Sequence, residues 1–143
     1  MSTPKRLLFL AAALLIAGAC SSRAELDINS PLSPAQTVRD YWKAAETNDL
    51  KLFVKCSYRG KDVNSKGELE DKTFADMAQN VLDQLSKVVA SQGGIKSVDV
   101  KSQQINGIGA TVIYDLKLGN GKTREHLTDQ LVKDDGRWKI SRK

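Results

Sequence analysis

The stretch "IKSVDVKSQQINGIGATVIYDLKLGNGK", residues 95–122, decides the fold, because its hydrophobic residues recur at every second position. Val98 and Val100 alternate with charged neighbours, and Ala110, Val112, Tyr114, Leu116 and Leu118 share one face of a strand. Between the two runs, Asn106-Gly107 predicts a tight hairpin whose central residues both take positive φ. "GNGK" at 119–122 makes a second turn, after which Leu127 and Leu131 mark a third strand. Asp134-Asp135-Gly136 then turns the chain into Arg137-Trp138-Lys139-Ile140, a fourth. Consecutive hairpins imply an antiparallel sheet, and one apolar face per strand implies that it is covered on one side only.

The cover comes from upstream. In Ser33-Pro34-Ala35-Gln36, Ser33 suits a helix N-cap, Pro34 the first helical position, and Gln36 the reciprocal half of a capping box. Val38, Tyr41, Trp42 and Ala45 follow on one helical face. Asn48-Asp49 ends that helix, and Asp49 can cap a short second one carrying Leu50, Phe53 and Val54. Residues 57–68 contain two glycines and no periodicity, so they read as a loop. A long third helix follows, with Phe74, Met77, Ala78, Val81, Leu82, Leu85, Val88 and Val89 at three- and four-residue steps, and Gly93-Gly94 closes it. Leu85 stands at the centre of that stripe, so it is expected deep in the core, facing Leu116 as the long helix packs into the sheet. Helices first and a strand meander second make an α+β domain.

The N-terminus is of another kind. Leu7 to Ala19 carry no charge, but a membrane-crossing helix needs roughly 20 apolar residues. A core helix should show a polar face, which this run lacks. Lys5 and Arg6 precede it and the small residues Ala17-Gly18-Ala19 follow, which is the order of a secretory signal peptide. Ile16-Ala17-Gly18-Ala19-Cys20 resembles the lipobox of bacterial lipoproteins, with Ala17 where Leu is usual. That resemblance implies cleavage before Cys20 and acylation of its thiol and new amine, several chains together anchoring stably. Cleavage after Ala19 as an ordinary signal peptide, leaving a free thiol, is the alternative. By the same resemblance, Ser21 rather than Asp after the cysteine implies the outer membrane, facing the periplasm.

Three segments are therefore expected: a leader at 1–19, a lipidated tether at 20–33 and one folded domain at 34–143. Losing the leader removes Lys5 and Arg6 and lowers the net charge from +5 to +3. The remaining charge is net −1 over residues 20–94 and net +4 over residues 95–143, a tilt too mild for a nucleic-acid footprint. With Cys20 acylated, Cys56 has no disulfide partner in the chain; in "LKLFVKC" it reads as a small buried hydrophobe, and the domain must stand on its core.

"SPAQTVRDYWKAAETNDL" at 33–50, the long middle helix and "LVKDDGRWKI" at 131–140 together resemble the nuclear transport factor 2-like superfamily, and within it small bacterial lipoproteins of unknown function. The resemblance spans roughly residues 33 to 143. It implies a strongly curved antiparallel sheet of about four strands wrapping the helices into a cone. The mouth of such a cone holds a ligand or an active site in some members and only packs in others.

No constellation compels a chemistry. "GNGKT" at 119–123 lacks the first glycine of a phosphate loop, where Leu116 stands, and precedes no helix, so no nucleotide or other cofactor is expected. His126 is the only histidine, so no histidine-rich metal site can form, and its parity puts it on the face opposite Leu127 and Leu131. Asp129 shares their face and could aim a carboxylate into the cone, with Tyr41 or Tyr114 supplying a hydroxyl. A bulge would turn it outward, and pairing with Arg124 or Lys139 at the rim is the plainer role. Tyr41, Trp42, Tyr114 and Asp129 are the pocket candidates, no residue is assigned as catalytic, and both tryptophans also read as core. The expected partners are the membrane, through the lipid on Cys20, and a small apolar ligand or an envelope protein; a homodimer stays open. The competing reading is a small isomerase- or hydrolase-like enzyme using Asp129 with a tyrosine.

Overall fold

A computed structural model describes residues 27–57 and 68–142, with the side chains of 68–74 left aside. The leader, Cys20, the first part of the tether and nearly all of the loop expected at 57–68 lie outside the described residues. Among those described, no helix is long and apolar enough to cross a membrane.

Among the described residues, three helices precede four strands: α1 (Pro34–Thr47), α2 (Leu50–Cys56), α3 (Glu68–Ser91), β1 (Ile95–Asn106), β2 (Gly109–Leu118), β3 (Thr123–Asp134) and β4 (Arg137–Ile140). The strands form one open antiparallel sheet in chain order, β1-β2-β3-β4. The expected α+β architecture is the one observed.

Local chemistry sets the helix ends. The Gln36 N–H donates to Ser33 Oγ at 3.1 Å, with Pro34 in the first turn. The box closes on one side only. Gln36 turns its amide to Asp40 Oδ1 at 2.9 Å, because the Ser33 N–H already donates to the Ser30 carbonyl. Asn48 takes φ 52° and ends α1, and Asp49 caps α2 by accepting from the Leu52 N–H. Gly93 and Gly94, both at φ 83°, let the chain leave α3, where the Gly94 N–H donates to the Val89 carbonyl.

The first hairpin differs from its expected form. Asn106 pairs with Gly109, so the two-residue loop is Gly107-Ile108, and only Gly107 has positive φ (59°). That is the pattern of a type II′ turn, with glycine at the first central position. The whole turn is shifted by one residue, and Ile108 is left 72% exposed at its tip.

The core runs from Val38 to Ile140, drawing on every helix and strand. β2 shows the expected alternation: Ala110, Val112, Tyr114, Leu116 and Leu118 are buried.

The long helix lies less closely on the sheet than expected. α1 occupies that position, against β1, β2 and β4, while α3 lies on α1 and α2. One consequence is that Leu82 is the fully buried leucine of α3, and Leu85 is only half-buried. Another is that Met77 is 63% exposed, and Val81 and Val88 are each 48% exposed. The apolar stripe of α3 is wider than the neighbours available to cover it. Leu116, by contrast, is buried as expected.

Candidate functional site

The site lies along α3 and the inner face of the sheet. β2 and β3 are paired so that Val112 stands opposite Asp129 and Tyr114 opposite Leu127. Between Tyr114 and Leu116 the register slips, leaving Glu125 and His126 opposite Asp115. This is a β-bulge: His126 takes φ 55°, and its N–H donates to Asp115 Oδ1 at 3.0 Å. That N–H is the largest influence holding the Asp115 carboxyl below its ordinary range. The bulge falls before Leu127, so the alternation from Leu127 to Leu131 is intact and Asp129 still points inward. His126 is exposed, as its parity implies.

Asp129 meets neither of the cations expected for it. Lys139 pairs with Asp134 at 3.0 Å, and Arg124 is exposed. Instead the Tyr114 hydroxyl donates to Asp129 Oδ2 at 2.8 Å, and the same hydroxyl accepts from Trp42 Nε1 at 2.9 Å. Three of the four candidate residues thus form one chain of hydrogen bonds across α1, β2 and β3. Burial pushes the Tyr114 hydroxyl pKa well up, with the Asp129 charge adding to it, so the phenol stays protonated.

Tyr41, the fourth, sits beside this chain with its ring edge-on to Trp42, centroids 5.5 Å apart. It is only 2% exposed, and its hydroxyl has no hydrogen-bond partner among the described residues. Burial raises its pKa, the Arg142 charge opposes that shift, and Asp129 adds a smaller upward push. Arg142 lies over the Tyr41 ring at 4.9 Å.

Two depressions run along α3. One, about 200 Å³, lies among Tyr41, Phe53, Met77, Val81, Ile140 and Arg142 and is mostly apolar. The other, about 30 Å³, lies among Trp42, Leu85, Val88 and Leu116. The exposed members of the α3 stripe are therefore the walls of these depressions. Sequence reasoning marked the polar candidates and missed this apolar wall, because it assigned the whole stripe to the core.

Cys56 is 4% exposed, and burial pushes its thiol from 9.0 to about 12, with Asp40 adding to the shift. It is a packed side chain whose thiol is held in the protonated form. Among the described residues, no three His, Cys, Asp or Glu side chains converge as a metal site.

No protein-family model matches the sequence, and no curated protein matches it as a relative. Solved structures are similar. One is a chain from Campylobacter jejuni described as an NTF2-like (nuclear transport factor 2-like) transpeptidase, 20% identical, with a TM-score of 0.58; the match covers 78% of this chain and 100% of that one. Another is an NTF2-like protein of unknown function from Shewanella oneidensis, 21% identical over 74% of this chain and 89% of that one, with a TM-score of 0.44. At 20% identity the likeness to the Campylobacter chain concerns the fold alone. This chain has an NTF2-like fold.

Proposed function

We propose that this protein is a lipid-anchored component of the bacterial outer membrane whose domain, facing the periplasm, binds a small apolar ligand along α3 without transforming it. One observation carries the binding reading: three polar groups of the site, on Trp42, Tyr114 and Asp129, are bonded to one another, while the apolar groups beside them stay uncovered. Trp42 Nε1, Tyr114 Oη and Asp129 Oδ2 satisfy each other, whereas Met77, Val81 and Val88 are half or more exposed. Apolar contact is what such a surface offers a ligand. The lipobox-like run ending at Cys20, and Ser21 after it, support the anchoring and its location.

The enzyme reading fits the site less well. An acid–base pair needs a donor free to reach substrate; the Tyr114 hydroxyl is committed on both sides, to Asp129 and to Trp42, and the Tyr41 hydroxyl is buried and makes no bond to Asp129. Transpeptidation, named for the Campylobacter chain, needs an activated nucleophile, and the buried, protonated thiol of Cys56 is not one.

The anchoring is tested by feeding labelled palmitate to cells expressing the protein or its Cys20→Ser variant. Label in the parent alone supports it, and label in both or in neither rejects it. The binding is tested by a thermal-shift screen of the mature chain, residues 20–143 with Cys20→Ser, against apolar compounds of every charge type. A ligand that binds the folded state raises the melting temperature. Failure of every compound would reject the binding module.

A further inference from the structure

The depression beside Tyr41 has a chemistry specific enough to name a ligand class, if the chain is the binding module proposed above. Its walls are apolar: the rings of Tyr41 and Phe53, the side chain of Ile140, and the exposed Met77 and Val81 on the rim. Two polar groups stand among them. The Tyr41 hydroxyl is buried without a partner among the described residues, a state that costs free energy until an acceptor or donor arrives. The Arg142 guanidinium stacks on the Tyr41 ring and makes no ion pair among the described residues. A phenol and a guanidinium stacked on its ring, both lining one apolar depression, match a group that accepts hydrogen bonds and carries negative charge.

Size limits the rest of the molecule. A space of about 200 Å³ holds roughly six or seven groups the size of a water molecule. The rim of Met77 and Val81 extends it by a little more. We propose that this site binds a medium-chain carboxylate of about eight carbons. Its head accepts from the Tyr41 hydroxyl and the Arg142 guanidinium, and its tail lies against Phe53, Ile140, Met77 and Val81. The apolar stripe of α3, left over by the packing of the domain, is then covered by the ligand's chain.

Isothermal titration of the mature chain (residues 20–143, Cys20→Ser) with butanoate, hexanoate, octanoate and decanoate tests this, alongside octanol and octylammonium. Affinity should rise about fourfold with each added methylene and level off near eight carbons. Octanol and octylammonium should bind about tenfold or more weakly than octanoate. Arg142→Gln should weaken octanoate by about tenfold and leave octanol unchanged. Tyr41→Phe, which keeps the ring, should weaken both. Equal affinity for octanoate and octanol, or unchanged octanoate binding in Arg142→Gln, would overturn the carboxylate class while leaving an apolar-ligand module standing. Binding by none of the series would overturn the proposal outright, and the screen of all charge types then decides separately whether the domain binds apolar molecules at all.

Discussion

The Tyr114 hydroxyl and the Asp129 carboxylate, on neighbouring strands and diagonal in register, are joined by a 2.8 Å hydrogen bond on the buried face of the sheet. Tyr114 is 2% exposed, and its hydroxyl also takes the indole hydrogen of Trp42. Removing that oxygen strands two polar groups at once. Tyr114→Phe should cost about 1–3 kcal/mol, the penalty of buried polar groups left without partners. Asp129→Asn keeps an acceptor for the phenol and loses only the charge, so it should cost about 1 kcal/mol. Chemical denaturation of both variants checks the order. A larger loss in Asp129→Asn than in Tyr114→Phe would mean that the carboxylate does more than receive this bond.

The second prediction separates the two kinds of apolar residue on α3. Leu82 is fully buried, so Leu82→Ala should cost about 2–5 kcal/mol through lost transfer free energy and the cavity left behind. Met77 is mostly exposed, and Met77→Ala should stay within about 0.5 kcal/mol of the parent. Leu85→Ala, at a half-buried position, should fall between them. Melting temperatures of the three variants measure this. Equal losses at Leu82 and Met77 would contradict the placement of α3.

Much of this architecture is legible in the sequence, and its limits have physical reasons. Alternation from Ala110 to Leu118 fixes the buried face of β2, because period two leaves no other assignment. Ser33 and Asp49 mark helix starts because a short side-chain oxygen there satisfies a free N–H. The depth of each residue in the α3 stripe is not legible: Leu82 and Leu85 are both leucines at helical spacing, and only tertiary packing, with α1 nearer the sheet, buries one and half-exposes the other. Asp129 shows both sides. Its facing follows from parity, but its partner follows from register, and the bulge at Glu125-His126 that sets the register carries no turn signature in the sequence.

A third prediction concerns Cys56. Its thiol is buried and held protonated, so in the folded protein it should react with iodoacetamide far more slowly than in denaturant. The same shift makes stability depend on pH. The unfolded thiol titrates near 9.0 and the folded one near about 12, so above pH 9 the unfolded chain releases a proton that the folded chain keeps. Its contribution is fully present below pH 9 and is lost as pH rises toward 12. Cys56→Ala should flatten that decline. An unchanged alkaline profile in the variant would contradict the assignment.

The fourth prediction is a contrast between two glycines. A Cβ on Gly119 would collide with the backbone of Gly93, where the β2–β3 turn lies against the end of α3 and the Gly119 N–H donates to the Gly94 carbonyl. Gly119→Ala should therefore destabilise by more than about 1 kcal/mol. Gly109 has ordinary van der Waals room and no positive φ, so Gly109→Ala should be neutral or stabilising by up to about 1 kcal/mol. Thermal melts of the pair decide it.

The central claim is that ligands occupy the site along α3, and the two tryptophans report on it directly. Trp42 Nε1 is bonded to Tyr114 within the site, whereas Trp138 Nε1 is buried without a partner among the described residues, and its ring borders a separate cleft by Leu32 and Arg137. In a nitrogen-15 correlation spectrum of the mature chain, each indole N–H gives its own resonance. Titration with octanoate, and with every compound that stabilises the chain in the thermal screen, should shift the Trp42 indole resonance progressively and leave that of Trp138 in place. A shift confined to Trp138, or no shift at either indole under saturating ligand, would contradict the claim.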